Sequence, residues 1–140
     1  MDTEGHERIS EDTELNSMEI NKITEQIIGA AIEVHRYLGP GLLESAYKQA
    51  LAYELKLRNI NFKLEVTVPI PYKDIELETG YRADLIVENK VVVELKAQRD
   101  KKDIFEAQTL TNTGLSGHKI GLLLNFHHKR MKNGINRFIF

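Results

Sequence analysis

The sequence contains no cysteine. Disulfides, thiolate metal sites and a cysteine nucleophile are therefore excluded. It has no apolar run of the roughly 18 residues that crossing a bilayer requires. Its first residues, MDTEGHERISEDTELNS, have neither the basic start nor the apolar middle of a signal peptide. A cytoplasmic location, with no membrane partner, is the expectation. A strong charge of one sign is also missing. The formal net charge is −2, so charge alone identifies no polyanionic partner. That small value hides a split. Asp2, Glu4, Glu7, Glu11, Asp12, Glu14, Glu19 and Glu25 face only Arg8 and Lys22 in the first 25 residues, which leaves a modest basic excess in the rest.

What is present suits one domain. A chain of 140 residues, 41% hydrophobic and 29% charged, is ordinary for a single globular core. Residues 1–17 lack apolar periodicity and read as an acidic flexible tail; residues 18–140 read as the domain. Ile20, Ile23, Ile27, Ile28, Ala31, Val34 and Leu38 recur at helical spacing. Asn16 or Ser17 is a candidate cap for that helix, and Gly39-Pro40-Gly41 ends it. A second helix is expected from about Leu42 to Arg58. Phe62, Leu64, Val66 and Val68 alternate with polar residues as in a half-buried strand, which Pro69 and Pro71 end or leave at an edge. Ile75–Leu77 is a candidate short strand. Tyr81–Val87 and Val91–Ala97 read as strands around a turn at Glu88-Asn89-Lys90. A helix follows over Ile104–Leu115, with Asp100 or Asp103 near its start. Lys119–Phe126 reads as a buried strand and Ile135–Phe140 as a final one. This order predicts an α/β fold, a mixed sheet with flanking helices.

The hairpin carries the chemistry. Side chains alternate across a strand, so Glu94 and Lys96 share a face. A three-residue turn pairs Val87 with Val91 and sets Asp84 opposite Glu94, about 5 Å apart at Cβ. The neighbours are apolar: Ala83, Leu85, Ile86, Val92, Val93 and Leu95. Two facing carboxylates there repel each other and lose hydration, which calls for compensation. A hard divalent cation supplies it, and magnesium commonly takes one or two carboxylates plus phosphate and water. Lys96 beside them can orient an attacking water and counter charge on a phosphate. The alternative is a solvent-exposed, salt-bridged strand face in which Lys96 neutralises Glu94 or Asp84.

Other positions have two readings as well. Glu44 lies in register with Tyr47, Leu51 and Leu55 on the second helix, where a carboxylate on an apolar stripe is unexpected. It is either a third acid of the site or a first-turn glutamate favoured by the helix dipole. Gln108 either contacts substrate or water, or is an ordinary exposed helix former. His127-His128-Lys129-Arg130, with Lys132, is either a phosphate-contacting loop or a solvated one; adjacent histidines point apart and do not chelate. His35 reads as structural or surface.

These residues resemble a known family. Gly41-Leu42-Leu43-Glu44-Ser45-Ala46-Tyr47 fits the GxxExxY motif that names a family of small prokaryotic proteins, itself similar to a branch of the PD-(D/E)XK nuclease superfamily. The resemblance runs from about Ile20 to Phe140, through IIGAAIEVHRYLGPGLLESAYKQAL, YRADLIVENKVVVELKA and EAQTLTNTGLSGHKIGLLLNF. It implies a restriction-endonuclease-like core and a nuclease that uses magnesium or manganese on nucleic acid, DNA more than RNA. It implies Asp84 and Glu94 as metal ligands, Lys96 as the catalytic lysine, Glu44 as the leading-helix acid that helps hold metal, and Gln108 as the glutamine of a Q-x-x-x-Y element. Two positions depart from the pattern. Ala83 stands where the superfamily's proline is named, and Asn112 stands where the tyrosine after Gln108 is expected. The alternative function is a non-catalytic nucleic-acid- or protein-binding module on the same scaffold, with a homodimer or protein partner supplying the missing recognition surface.

Overall fold

The structure, a computed structural model, describes residues 3–99 and 101–140. The first helix, α1, spans Thr3–Leu38. Its backbone runs through Asn16 and Ser17, which were expected to cap a helix starting near Met18. Met1 and Asp2, part of the expected tail, lie outside the described residues. The periodic stretch behaves as its spacing requires: Ile27, Ala30, Ala31 and Val34 are buried on one face. Helix α2, Glu44–Leu57, buries Tyr47, Leu51, Ala52 and Leu55. Strand β1 spans Phe62–Thr67, β2 Ile70–Tyr72, β3 Ile75–Leu77, β4 Arg82–Val87 and β5 Val91–Lys96. Helix α3, Lys102–Leu115, leads to β6, Ile120–Asn125. A 3₁₀ turn, Met131–Gly134, then precedes β7, Ile135–Ile139. The expected helix-start residue Asp100 lies outside the described residues; Asp103 is in the first turn of α3.

The main sheet has the order β1-β4-β5-β6-β7. All its neighbours pair antiparallel except β5 and β6, which α3 joins as a parallel crossover. Helices α1 and α2 cover one face, with Leu85, Val87, Val93, Leu95, Leu122 and Leu124 beneath them. Helix α3 covers the other face, over β5 and β6. Its approach is close because Gly121 has no side chain: a Cβ there would run into Thr113 Oγ1. This is the mixed α/β architecture read from the sequence.

Two details differ from the expectation. Residues 70–72 form a strand, paired with β3 in a separate two-stranded ribbon, although Pro71 argues against one. Edge placement resolves this, since a ribbon of two short strands leaves proline an unpaired side. Leu64 was expected inward on β1 but is exposed. Strand β1 is a sheet edge, and Glu65 at its middle sits at φ +51, outside extended backbone.

Candidate functional site

The turn before α2 places the first acid. Gly41 sits at φ +102, a conformation that suits glycine, and the chain then enters the helix at Glu44. Tyr47, fully buried, fixes this turn from below. Its hydroxyl donates to Gly39 O at 2.6 Å and accepts from Leu42 N at 3.1 Å. Its ring stacks on Phe126 at 4.5 Å. The spacing of Gly41, Glu44 and Tyr47 thus has a physical sense: a permissive turn, an acid at the helix start, and a tyrosine that locks the two together.

The hairpin places the second and third acids. The observed register, Val87↔Val91, Ile86↔Val92 and Leu85↔Val93, is the one expected, and its next step sets Asp84 across from Glu94. The backbone ladder is interrupted at Asp84 on both sides. On β1 the pairing skips from Leu64↔Leu85 to Val66↔Ala83, at the positive-φ Glu65. Towards β5 the Asp84 side chain takes over, accepting the Leu95 N–H on Oδ2 at 2.8 Å. Glu94 is 6% exposed and accepts from Asn112 Nδ2 on Oε1 at 2.6 Å. Asn112 itself is buried, and its Oδ1 has no partner.

These surroundings perturb the acids. Burial, and then the charge of Asp84 and a hydrogen bond shared with it, push the Glu94 carboxyl up to about 8, against the opposing pull of Asn112 and Lys96. A hydrogen bond between two carboxyls needs a proton on one of them. Glu44 is raised by burial and by Asp84, with Lys96 and Lys48 opposing. It is therefore tied to the pair through charge. Tyr81 is raised by burial and by Glu94.

Lys96 distinguishes the two readings of the hairpin. It shares the face of Glu94, but its ammonium lies over the Phe105 ring, 4.9 Å from the centroid. The ion pair to Asp84 comes instead from Lys48, at 3.0 Å. Glu94 is almost wholly buried. A solvent-exposed strand face neutralised by Lys96 is thus not what the chain builds.

Three residues of the site were missed in the sequence. Lys48 lies four residues after Glu44, on the same helical face, and that spacing was a readable signal. It also pairs with Glu65 at 2.9 Å. Burial alone would pull its ammonium pKa down, but the bonds to Glu65 and Asp84 hold it up, at about 12. Asn112, which reads in sequence as a departure from a pattern, holds Glu94. Nothing local flagged Tyr81.

The remaining candidates are spread around this centre. Gln108 lines a groove of about 380 Å³ with Tyr81, Asp103, Ile104, Ala107 and Thr111, and no hydrogen bond joins it to the carboxyl cluster. Arg82 is exposed and pairs with Glu65 at 3.6 Å. Strand β6 ends beside β5, with Phe126 N–H bonded to Lys96 O, so the exposed Lys129 and Arg130 follow from the Lys96 end of the sheet. His35 is structural: it is buried and bonds His128 O at 2.7 Å.

A metal can be judged against this donor set. Asp84 and Glu94 offer paired carboxyl oxygens, the hard ligands magnesium takes in ones and twos. That fits a two-carboxylate site. A three-acid cage is a different matter. Among the described residues, no group of three or more His, Cys, Asp or Glu side chains is arranged to hold a metal ion. Glu44 contributes charge to Asp84 without a bond to it, and Lys48 already neutralises Asp84.

A mixed sheet with an acid pair, Glu94 buried and Asp84 partly buried, at the carboxyl end of its parallel strands, and a lysine two residues on, is a restriction-endonuclease-like core. The profile of the PD-(D/E)XK nuclease superfamily matches residues 21–138, and the chain belongs to that superfamily. No curated protein and no solved structure gave a significant match. Among the described residues, no helix is long and apolar enough to cross a membrane.

Proposed function

We propose that this chain is a nuclease of the GxxExxY branch, dependent on magnesium or manganese and hydrolysing phosphodiester bonds in DNA or RNA. The observation that carries the reading is the Asp84–Glu94 carboxyl pair, Glu94 buried and Asp84 partly buried, with the Lys96 ammonium on the same face, seated over the Phe105 ring and in no ion pair among the described residues. Asp84 and Glu94 would hold the ion, with Glu44 adding negative charge nearby. When bound, such an ion polarises the phosphate and lowers the pKa of its water. Asn112 and the Leu95 N–H orient the two acids. Lys96 is placed to orient the attacking water and to counter charge on the phosphate oxygens. Gln108 positions the strand at the groove wall, and Arg82, Lys129, Arg130 and Lys132 contact flanking phosphates. The acidic segment 1–17 precedes the nuclease domain, 18–140. The chain acts in the cytoplasm, with a homodimer or protein partner adding recognition surface.

A second reading has its own support. Both Asp84 oxygens and one Glu94 oxygen already have partners from the chain. A non-catalytic nucleic-acid- or protein-binding module would retain such a self-satisfied cluster. Incubation with labelled single-stranded, duplex and branched DNA and with RNA, in magnesium, manganese or chelator, separates the two. Metal-dependent cleavage that drops on the order of 100-fold or more in Lys96→Ala and Asp84→Ala is the expected result. Cleavage that survives both substitutions removes the site assignment. Binding without cleavage, indifferent to chelator, selects the second reading.

A further inference from the structure

Lys48 and Glu44 are one helical turn apart and leave α2 on one face. The Lys48 ammonium sits between two carboxylates, 3.0 Å from Asp84 Oδ1 and 2.9 Å from Glu65 Oε1, with its side chain 18% exposed. Asp84 Oδ2 is held from the other side by the Leu95 N–H. Asp84 therefore has one oxygen fixed by backbone and one held by a side chain that can move. Glu65 is differently placed. It is exposed, stands on the positive-φ kink of β1, and is also paired with Arg82.

We infer that Lys48 is a built-in counter-ion. It holds Asp84 in position while no divalent ion is present, and it gives up Asp84 Oδ1 to the ion by withdrawing onto Glu65. The inference rests on the metal-site reading above. Its physical basis is competition: two cations cannot share one carboxylate oxygen at contact distance without strong repulsion. Lys48 is thus a positioning residue that sets how tightly the site takes its metal. Glu65 is the resting place that makes its withdrawal feasible, since a half-buried ammonium with no anion would be costly.

The test is metal binding, independent of any cleavage. Manganese is titrated into the chelator-treated full chain by calorimetry, with free ion counted by electron paramagnetic resonance. Lys48→Met and Lys48→Gln should each bind manganese roughly tenfold tighter than the unsubstituted chain. Lys48→Arg should restore near-normal affinity. Glu65→Gln, an exposed change that removes the resting place, should bind several-fold weaker. Arg82→Gln removes an equal charge that touches Glu65 but not Asp84, and should change affinity by less than about twofold. The inference is overturned if both neutral Lys48 variants that fold bind no tighter than the parent. It is equally overturned if Arg82→Gln tightens binding as much as they do, or if Glu65→Gln does not weaken it. If the parent chain and every variant bind no manganese, the metal reading itself is lost and the inference goes with it. Normal parent binding with unmoved variants sinks the inference alone.

Discussion

At the scale of single residues, the chain carries a carboxyl cluster in which burial disfavours the charged form. Glu94 shows the consequence most directly. Its folded carboxyl is pushed up to about 8 from an ordinary 4.5, first by burial and then by Asp84. The folded chain therefore holds a proton that the unfolded chain has released throughout that interval. Stability linked to Glu94 is fully present below about pH 4.5, falls as pH rises, and is lost above about pH 8. Glu44, also raised, adds in the same direction. In chelator, the urea midpoint should drop between pH 5 and 8.5, by on the order of a few kcal/mol in unfolding free energy. Glu94→Gln cannot ionise, so its profile should be flatter and should cross above the parent at the alkaline end. Parallel profiles for the two proteins would remove Glu94 as the source. The residues that set this behaviour were only partly readable. Asp84, Glu94 and Lys96 follow from strand alternation and one turn length. Lys48, Asn112 and Tyr81 reach the site from other elements, and pair contacts between elements leave no periodic trace in a sequence.

At the scale of elements, the decisive piece is the turn between α1 and α2. It delivers Glu44, and a single buried hydroxyl organises it. Tyr47→Phe keeps the ring stack on Phe126 but strips the bonds to Gly39 O and Leu42 N. The cost should be about 1–2 kcal/mol in chemical denaturation, because two backbone groups lose a partner near the surface. The larger effect should be local. Amide exchange of residues 39–44 should speed up while the β5 and β6 amides stay protected. Uniform acceleration across the sheet would mean that Tyr47 acts through the core and not through the turn. The elements themselves were legible wherever one face is buried. Both helices of this pair, the β4–β5 hairpin and the β5–α3–β6 crossover declare themselves by period and by turn residues. The helical backbone before Met18 did not, because it has no apolar stripe to read. Nor did β2, where local proline chemistry argued for a loop and only its pairing with β3 makes it a strand.

At the scale of the whole molecule, folding and the proposed metal binding draw on the same groups. The acid pair is formed only when β4 and β5 are zipped and α3 brings Asn112 across them. The unfolded chain has no such site, so any ion that binds the folded state adds to its stability in proportion to the logarithm of ion concentration over the dissociation constant. At 100 times that constant the gain is about 2.7 kcal/mol, or roughly 5–10 °C for a domain of this size. In the proposed site a metal competes with the proton held by Glu94, so the gain should be larger at pH 8 than at pH 6, opposite in slope to the stability of the metal-free chain. Differential scanning calorimetry in manganese and in chelator at both values measures this directly. Asp84→Asn should abolish the shift, because it removes a proposed ligand. Lys96→Ala should keep it, because the proposed function assigns Lys96 to the reaction and not to the ion. A manganese shift of equal size at both pH values would detach the ion from the acid pair, and loss of the shift in Lys96→Ala would make that lysine part of the metal site's structure.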